Sequence, residues 1–268
     1  MKAPAQLHQS YIIVPARLRL VTLVSYLKST LSRRGRTMQA IISVLRRLGR
    51  LPLRTSEKSH RERIASIIFE GRGIHIQDGF KGGVHHLPAS PKVILHRMHG
   101  PLSKPFRTAT LRSFSACKSA SLLITTNVSC QGLDIPSVDL VIEYDPAFSF
   151  AKLCDALLFL LPGCEDGYIE LLKSSTPPTP QSYDSSSGFL LNHLQQLQSY
   201  HDKAEVLQLH FEQRLLDDTK RLELAREGFK SHIRAYATHI TEERVNFHIT
   251  ELHSGHIAKI FGLRKAPA

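Results

Sequence analysis

The chain has 268 residues, 42% hydrophobic and 22% charged, with a formal net charge of +12. That length allows one large domain or two small ones, and the apolar share supports a real core, which excludes wholesale disorder. No apolar run approaches the ~20 residues of a membrane span, and Arg17 and Arg19 cut short the run at 11–14 before it reaches signal-peptide length.

The β-branched and aromatic residues at 10–14 predict a short strand that Pro15 stops. Leu20, Val24, Leu27 and Leu31 then recur at helical spacing and predict a helix over 17–31. Residues 40–44 read as a second strand. Arg46, Arg47, Arg50 and Arg54 interrupt the leucines that follow, and the glycine-rich run from Gly71 to Ser90 reads as an irregular loop. Its length is unusual for a compact domain. Residues 92–95 predict a strand, His99-Gly100 a turn, and 104–116 an amphipathic helix around Phe106, Leu111 and Phe114.

Strands are expected at 121–126, 138–144 and 156–161. Such nearly continuous apolar strands, separated by helical stretches, imply a parallel sheet covered on both faces. The Pro/Ser-rich stretch 174–188 has linker composition. Beyond it Val206, Leu209, Leu216, Leu222, Ala225, Phe229 and Ile233 lie on or near one helical stripe, so 189–268 reads as a mainly helical extension.

The charge is regional. Residues 1–64 hold 14 Lys or Arg against 2 acidic residues, and the other 204 residues hold 21 of each sign. A basic field suits a polyanion, the plain alternative being a solvated basic segment. Cys117, Cys130, Cys154 and Cys164 form no CxxC pair and have no histidines at zinc spacing. They read as reduced thiols of an intracellular protein with no structural metal.

Residues 122–136 carry the most chemistry. An apolar strand runs into Thr125-Thr126, a polar turn, and then Gly132-Leu133-Asp134 before Pro136. Parallel sheets bind ligands where strands end in their carboxyl termini. There Thr126 suits a phosphate, Gly132 allows close backbone approach, and Asp134 suits a ribose hydroxyl. An ordinary strand–turn connection is the competing reading. There is no Walker-type GxxxxGK(S/T) sequence, no GxGxxG after a strand and no GxSxG elbow.

Taken together these segments resemble the second RecA-like domain of a DEAD-box RNA helicase. Ser10 to Leu23 resembles the entry strand and first helix, and His99-Gly100 through Arg107 to Phe114 resembles the HG–R–F segment. Residues 122–136 resemble motif V, usually TDVAxRGLDIP, and 138–146 the strand after it. Phe229 to His239 and Leu252 to Arg264 are similar to the C-terminal extension of the subset that works in the fungal nucleolus on the large ribosomal subunit. The likeness covers 1–44 and 92–268.

The resemblance implies an α/β fold, a RecA-like parallel sheet covered by helices, over 1–173, with 45–91 matching poorly. A linker at 174–188 and a helical extension over 189–268 follow. In an intact relative Gly132 and Asp134 would face ATP with Mg2+, while Gly100, Arg107 and Thr126 would line the RNA path. Pre-ribosomal RNA and pre-ribosomal particles are the implied partners, the nucleolus within the nucleus the implied location, and no membrane is involved. Arg17 and Arg19 lie in the matching part and count toward an RNA surface.

The departures are specific. Motif V has Asn127 and Gln131 where Asp and Arg are usual. No HRxGRTxR segment stands between Asp145-Pro146 and Ala156, and the stretch holds no Arg. The P-loop and the DEAD residues are missing, and 45–91 reads as mis-spliced or frame-shifted. The expectation is a helicase half with no catalysis of its own. Its rivals are a non-enzymatic RNA or pre-ribosome binding module and a non-functional gene product.

Overall fold

The structure is a computed structural model that describes residues 9–31, 39–44, 85–87, 90–98, 102–126, 138–145, 156–175, 181–182, 197–237, 239 and 244–267. Eight strands among them form one sheet: β1 (Gln9–Ile13), β2 (Gln39–Val44), β3 (His85–Leu87), β4 (Ser90–Arg97), β5 (Ser121–Thr126), β6 (Leu140–Glu143), β7 (Ala156–Leu160) and β8 (Gln181–Ser182). Their order is β3-β4-β5-β2-β6-β7-β1-β8. Every pairing is parallel except β3 with β4.

The strand sequences are apolar at consecutive positions because both faces are covered, as expected for parallel sheets. Ala40, Ile42, Leu122, Ile124, Ile142 and Phe159 join one core with helix α1 (Ala16–Leu31). The alternate residues Ile41, Leu123 and Val141 join another around Phe114 of helix α2 (Lys104–Ser115). Leu158 and Leu160 pack on Tyr168 and Ile169 of a third helix, α3 (Gly167–Ser175). The period-two alternation of a strand thus sorts one apolar run into two cores.

Helix α1 is buried continuously from Leu18 to Val24, wider than the single stripe its leucines predict. The extension explains the second buried side. Helices α4 (Leu197–Leu216) and α6 (Ser254–Ile260) pack against α1, and α5 (Thr219–Tyr236) follows α4 after a tight turn. Asp218 caps α5, its Oδ1 accepting from the Arg221 N–H at 3.2 Å. Gly262, at φ 67°, ends α6 in a left-handed residue, and the Leu263 N–H returns to the Ala258 carbonyl at 3.0 Å.

Three expectations need correction, and one element was not expected. The loop expected up to Ser90 contains β3, and β4 already begins at Ser90. Helix α3 had no sequence expectation. Gln181–Ser182, inside the presumed linker, adds an edge strand to Ser10 and Tyr11 of β1. On α4 the expected core stripe is turned outward: Val206, Leu209 and Leu216 are exposed, while Ala204, Phe211 and Leu215 are buried. The rest of the segment 45–91 lies outside the described residues, as does the turn at His99-Gly100.

Candidate nucleic-acid interface

In a parallel sheet the carboxyl ends of the strands share one edge. Val44 of β2 lies opposite Thr126 of β5. Beside them β4 ends at Arg97, and the Met98 N–H bonds the Ile124 carbonyl at 2.9 Å. The chain therefore leaves toward Gly100 and toward Gly132 and Asp134 from neighbouring strand ends. Those three residues lie outside the described ones, and so do Asn127, Gln131, Cys130 and Cys154. Thr126 is placed by its backbone alone.

Helix α2 runs back across the sheet. Gln39, the first residue of β2, donates through Nε2 to the carbonyls of Phe114 and Cys117 at 3.1 and 3.0 Å. Asp139 Oδ2 accepts from the Gln39 N–H at 2.9 Å. This pins the end of α2 to the amino edge, so its beginning, with Lys104 and Arg107, lies toward the carboxyl edge. Phe114 anchors α2 below, edge-on to His96 of β4 at 5.4 Å. Burial pushes the His96 imidazole below its ordinary pKa, which favours the neutral ring.

The outer side of α2 and the turn after it are cationic. Lys104 and Arg112 of the helix and Lys118 beyond it are exposed. Arg107 is half-buried, and its Nε makes no hydrogen bond among the described residues. A sequence signal for this face exists and was missed: from Gly79 to Leu133 there are 7 Lys or Arg and no Asp or Glu. Counting charge over the last 204 residues together hid it, because acidic residues of the extension balance the total.

The other end of the same edge is closed by buried charge. Arg19 of α1 is 1% exposed. Its Nη2 donates to the Tyr144 carbonyl and, at 2.8 Å, to the Phe159 carbonyl, tying the ends of β6 and β7 together. Its Nη1 lies 4.0 Å from Asp145 Oδ1, and His232 Nδ1 of α5 approaches the same oxygen at 3.8 Å. Glu165, fully buried after β7, accepts from the Leu161 N–H at 2.7 Å and the Tyr236 hydroxyl at 2.9 Å. Burial pushes the Glu165 carboxyl up, opposed by the Arg19 charge. Arg19 is thus a structural clamp, and its expected place on an RNA surface is corrected; Arg17 is exposed.

Comparison with known proteins agrees with this geometry. The helicase conserved C-terminal domain matches residues 44–156, a span that includes 45–91. The C-terminal extension of ATP-dependent rRNA helicase SPB4-like proteins matches residues 218–268. ATP-dependent RNA helicase DBP7 of Gibberella zeae is 57% identical over 303 aligned positions, covering 100% of this chain and 39% of that protein. The dbp-7 helicase of Neurospora crassa is 42% identical, covering 99% of this chain and 41% of that protein. The chain spans about two-fifths of these relatives.

Among solved structures, Mss116p DEAD-box helicase domain 2 bound to an RNA duplex has a TM-score of 0.54 at 14% identity, covering 96% of this chain and 87% of that one. Mss116 bound to ssRNA and UDP-BeF has 0.57 at 16% identity, covering 97% and 44%. Identities this low speak to fold alone. The fold is that of a RecA-like helicase domain, and the chain belongs to the DEAD-box RNA helicase family. It corresponds to that family's C-terminal domain followed by an SPB4-like extension.

Proposed function

We propose that this chain is the RNA-gripping half of a nucleolar DEAD-box helicase of ribosome assembly, acting on pre-ribosomal RNA within pre-ribosomal particles. The observation that carries it is the acid-free stretch 79–133, whose described part forms β3, β4, α2 and β5 at one end of the sheet. The exposed cations Lys104, Arg112 and Lys118 take up phosphates there, and sequence-independent phosphate contacts supply most of such affinity. The names of the DBP7 relatives and of the RNA-bound Mss116 structures support the substrate class.

The chain alone neither hydrolyses ATP nor unwinds RNA. By resemblance Gly132 and Asp134 would face ATP with Mg2+. The residues present do not fit productive turnover. Residues 146–155 supply no Arg, and Arg19, at the ends of β6 and β7, is committed to two carbonyls. An arginine finger is worth roughly 10³–10⁵ in phosphoryl-transfer rate. The Gibberella relative aligns over 303 positions against 268 residues here, so it carries segments this chain lacks.

The test uses the purified chain with a fluorescent single-stranded RNA. Expected are steeply salt-dependent binding, no effect of ATP on affinity, and no RNA-stimulated phosphate release. RNA-stimulated turnover that disappears in Asp134→Ala would overturn the proposal, and so would RNA affinity indifferent to salt.

A further inference from the structure

Beside the α4–α5 turn lies a groove of about 830 Å3 whose apolar lining is Leu216, Leu222, Leu263, Ala266 and Pro267. Arg226 and Lys230 of α5, with Arg264 and Lys265 beyond α6, complete it. All four are exposed. Arg226 and Lys230 are four residues apart, hence neighbours on one helical face. Arg264 leans on Gln213 at 3.3 Å and toward Glu212 at 3.9 Å. Glu212 already holds Lys259 at 2.7 Å. Arg226, Lys230 and Lys265 have no ion pair among the described residues. Among the described residues no acidic side chain lines the groove.

The apolar surface continues along α4. Val206, Leu209 and Leu216 are 66%, 58% and 44% exposed. Leu209 and Leu216, seven residues apart, share a stripe and stand about 10 Å apart along the axis. Ala204, Phe211 and Leu215 occupy the opposite, buried face. The helix therefore has two apolar faces, of which the described residues bury one. Aliphatic side chains ending in a cationic pocket cost the isolated chain both hydration and like-charge repulsion.

We propose that this groove, with the Leu209–Leu216 stripe, docks a short acidic amphipathic helix of a partner protein. Its aliphatic side chains would cover the leucines, and its carboxylates would meet Arg226, Lys230, Arg264 and Lys265. The volume suits two or three anchoring side chains, within the roughly 300–1,000 Å3 of ordinary ligand sites. RNA fits less well, because single-strand platforms stack bases on aromatic rings and this lining is aliphatic. A second copy of the chain seated on the same face would set cation against cation.

The test pans a displayed library of random 12-residue peptides against the full chain. The expected yield is sequences that combine Asp or Glu with Leu, Ile or Phe at helical spacing. A synthetic peptide of the enriched sequence should lose at least about tenfold in affinity against Arg226→Glu with Lys230→Glu. Leu209→Gln should cost less, about threefold. Arg226→Gln with Lys230→Gln repeats the test should the reversed pair fold poorly, with thermal melting as the check. No enriched sequence, enrichment without carboxylates, or unchanged affinity for the charge variants overturns the proposal. Displacement of the peptide by oligouridylate with the same dependence on Arg226 and Lys230 assigns the groove to RNA and overturns it too.

Discussion

At the β6–β7 end of the sheet the clamp charges are buried and have counterparts: Arg19 with two carbonyls and Asp145, Glu165 with a backbone N–H and Tyr236. At the β3–β5 end Lys104, Arg112 and Lys118 stand in solvent with no acidic residue in the surrounding sequence. Buried charges without partners cost several kcal/mol each, whereas exposed ones cost little. The first end is therefore architecture and ties the extension to the sheet. The second leaves its charge free for a polyanion. Identical residue types in one chain serve opposite ends, and burial decides which.

The largest expected effect is at the clamp. Arg19→Met keeps the length of the side chain but takes the Nη2 donor from two carbonyls and removes the cation that lies 4.0 Å from Asp145. Urea unfolding should show a loss of about 3–5 kcal/mol. A loss below about 1 kcal/mol would break the comparison, because the buried end would then not depend on its charge. Tyr236→Phe comes next. The ring keeps its contact with Phe247 at 5.9 Å, and only the hydroxyl that donates to Glu165 is lost. The expected cost is about 1–3 kcal/mol, read as a lower melting temperature. An unchanged melting point would detach α5 from the network.

Glu143 gives the pH test. It sits on β6 beside the clamp, and burial pushes its carboxyl up to about 7 from an ordinary 4.5. The folded chain thus holds a proton that the unfolded chain releases above about pH 4.5, so this group makes stability fall as pH rises to about 7. Part of its side chain remains exposed, which reduces the effect to about 1–2 kcal/mol. Urea midpoints on either side of that window should converge in Glu143→Gln. A slope identical in the variant would exclude this carboxyl as its source.

How much of this was legible differs by element. β2 and β5 to β7 were readable because burial on both faces forces apolar runs, and β1 because its β-branched and aromatic residues stop at Pro15. Edge strand β8 was not, since two residues paired through backbone alone leave no side-chain pattern. Helix α3 is short and follows a turn at Gly163, whose φ of 83° marks the bend but predicts nothing after it. On α4 two apolar faces coexist, and periodicity cannot say which one meets α1. Arg19 read as surface charge because a sequence does not show that its neighbours in space are the ends of β6 and β7. Arg107 and Thr126 were singled out by motif likeness, whereas the acid-free span around them needed only a narrower charge window.

The smallest expected stability effect is the most informative about RNA. Lys104 and Arg112 of α2 and Lys118 just beyond it are exposed, and surface substitutions usually stay within about 0.5 kcal/mol. Lys104→Ala, Arg112→Ala and Lys118→Ala together should therefore leave the urea midpoint nearly unchanged. RNA affinity should respond in the opposite sense. Each single-strand phosphate contact contributes about 0.7 to the slope of log affinity against log salt, so losing three flattens it by about 2. Stability that falls while the slope holds would make α2 architecture and leave the chain without an open basic end. Stability that holds while the slope falls would show that burial alone separates the arginine that builds this fold from the cations that grip its ligand.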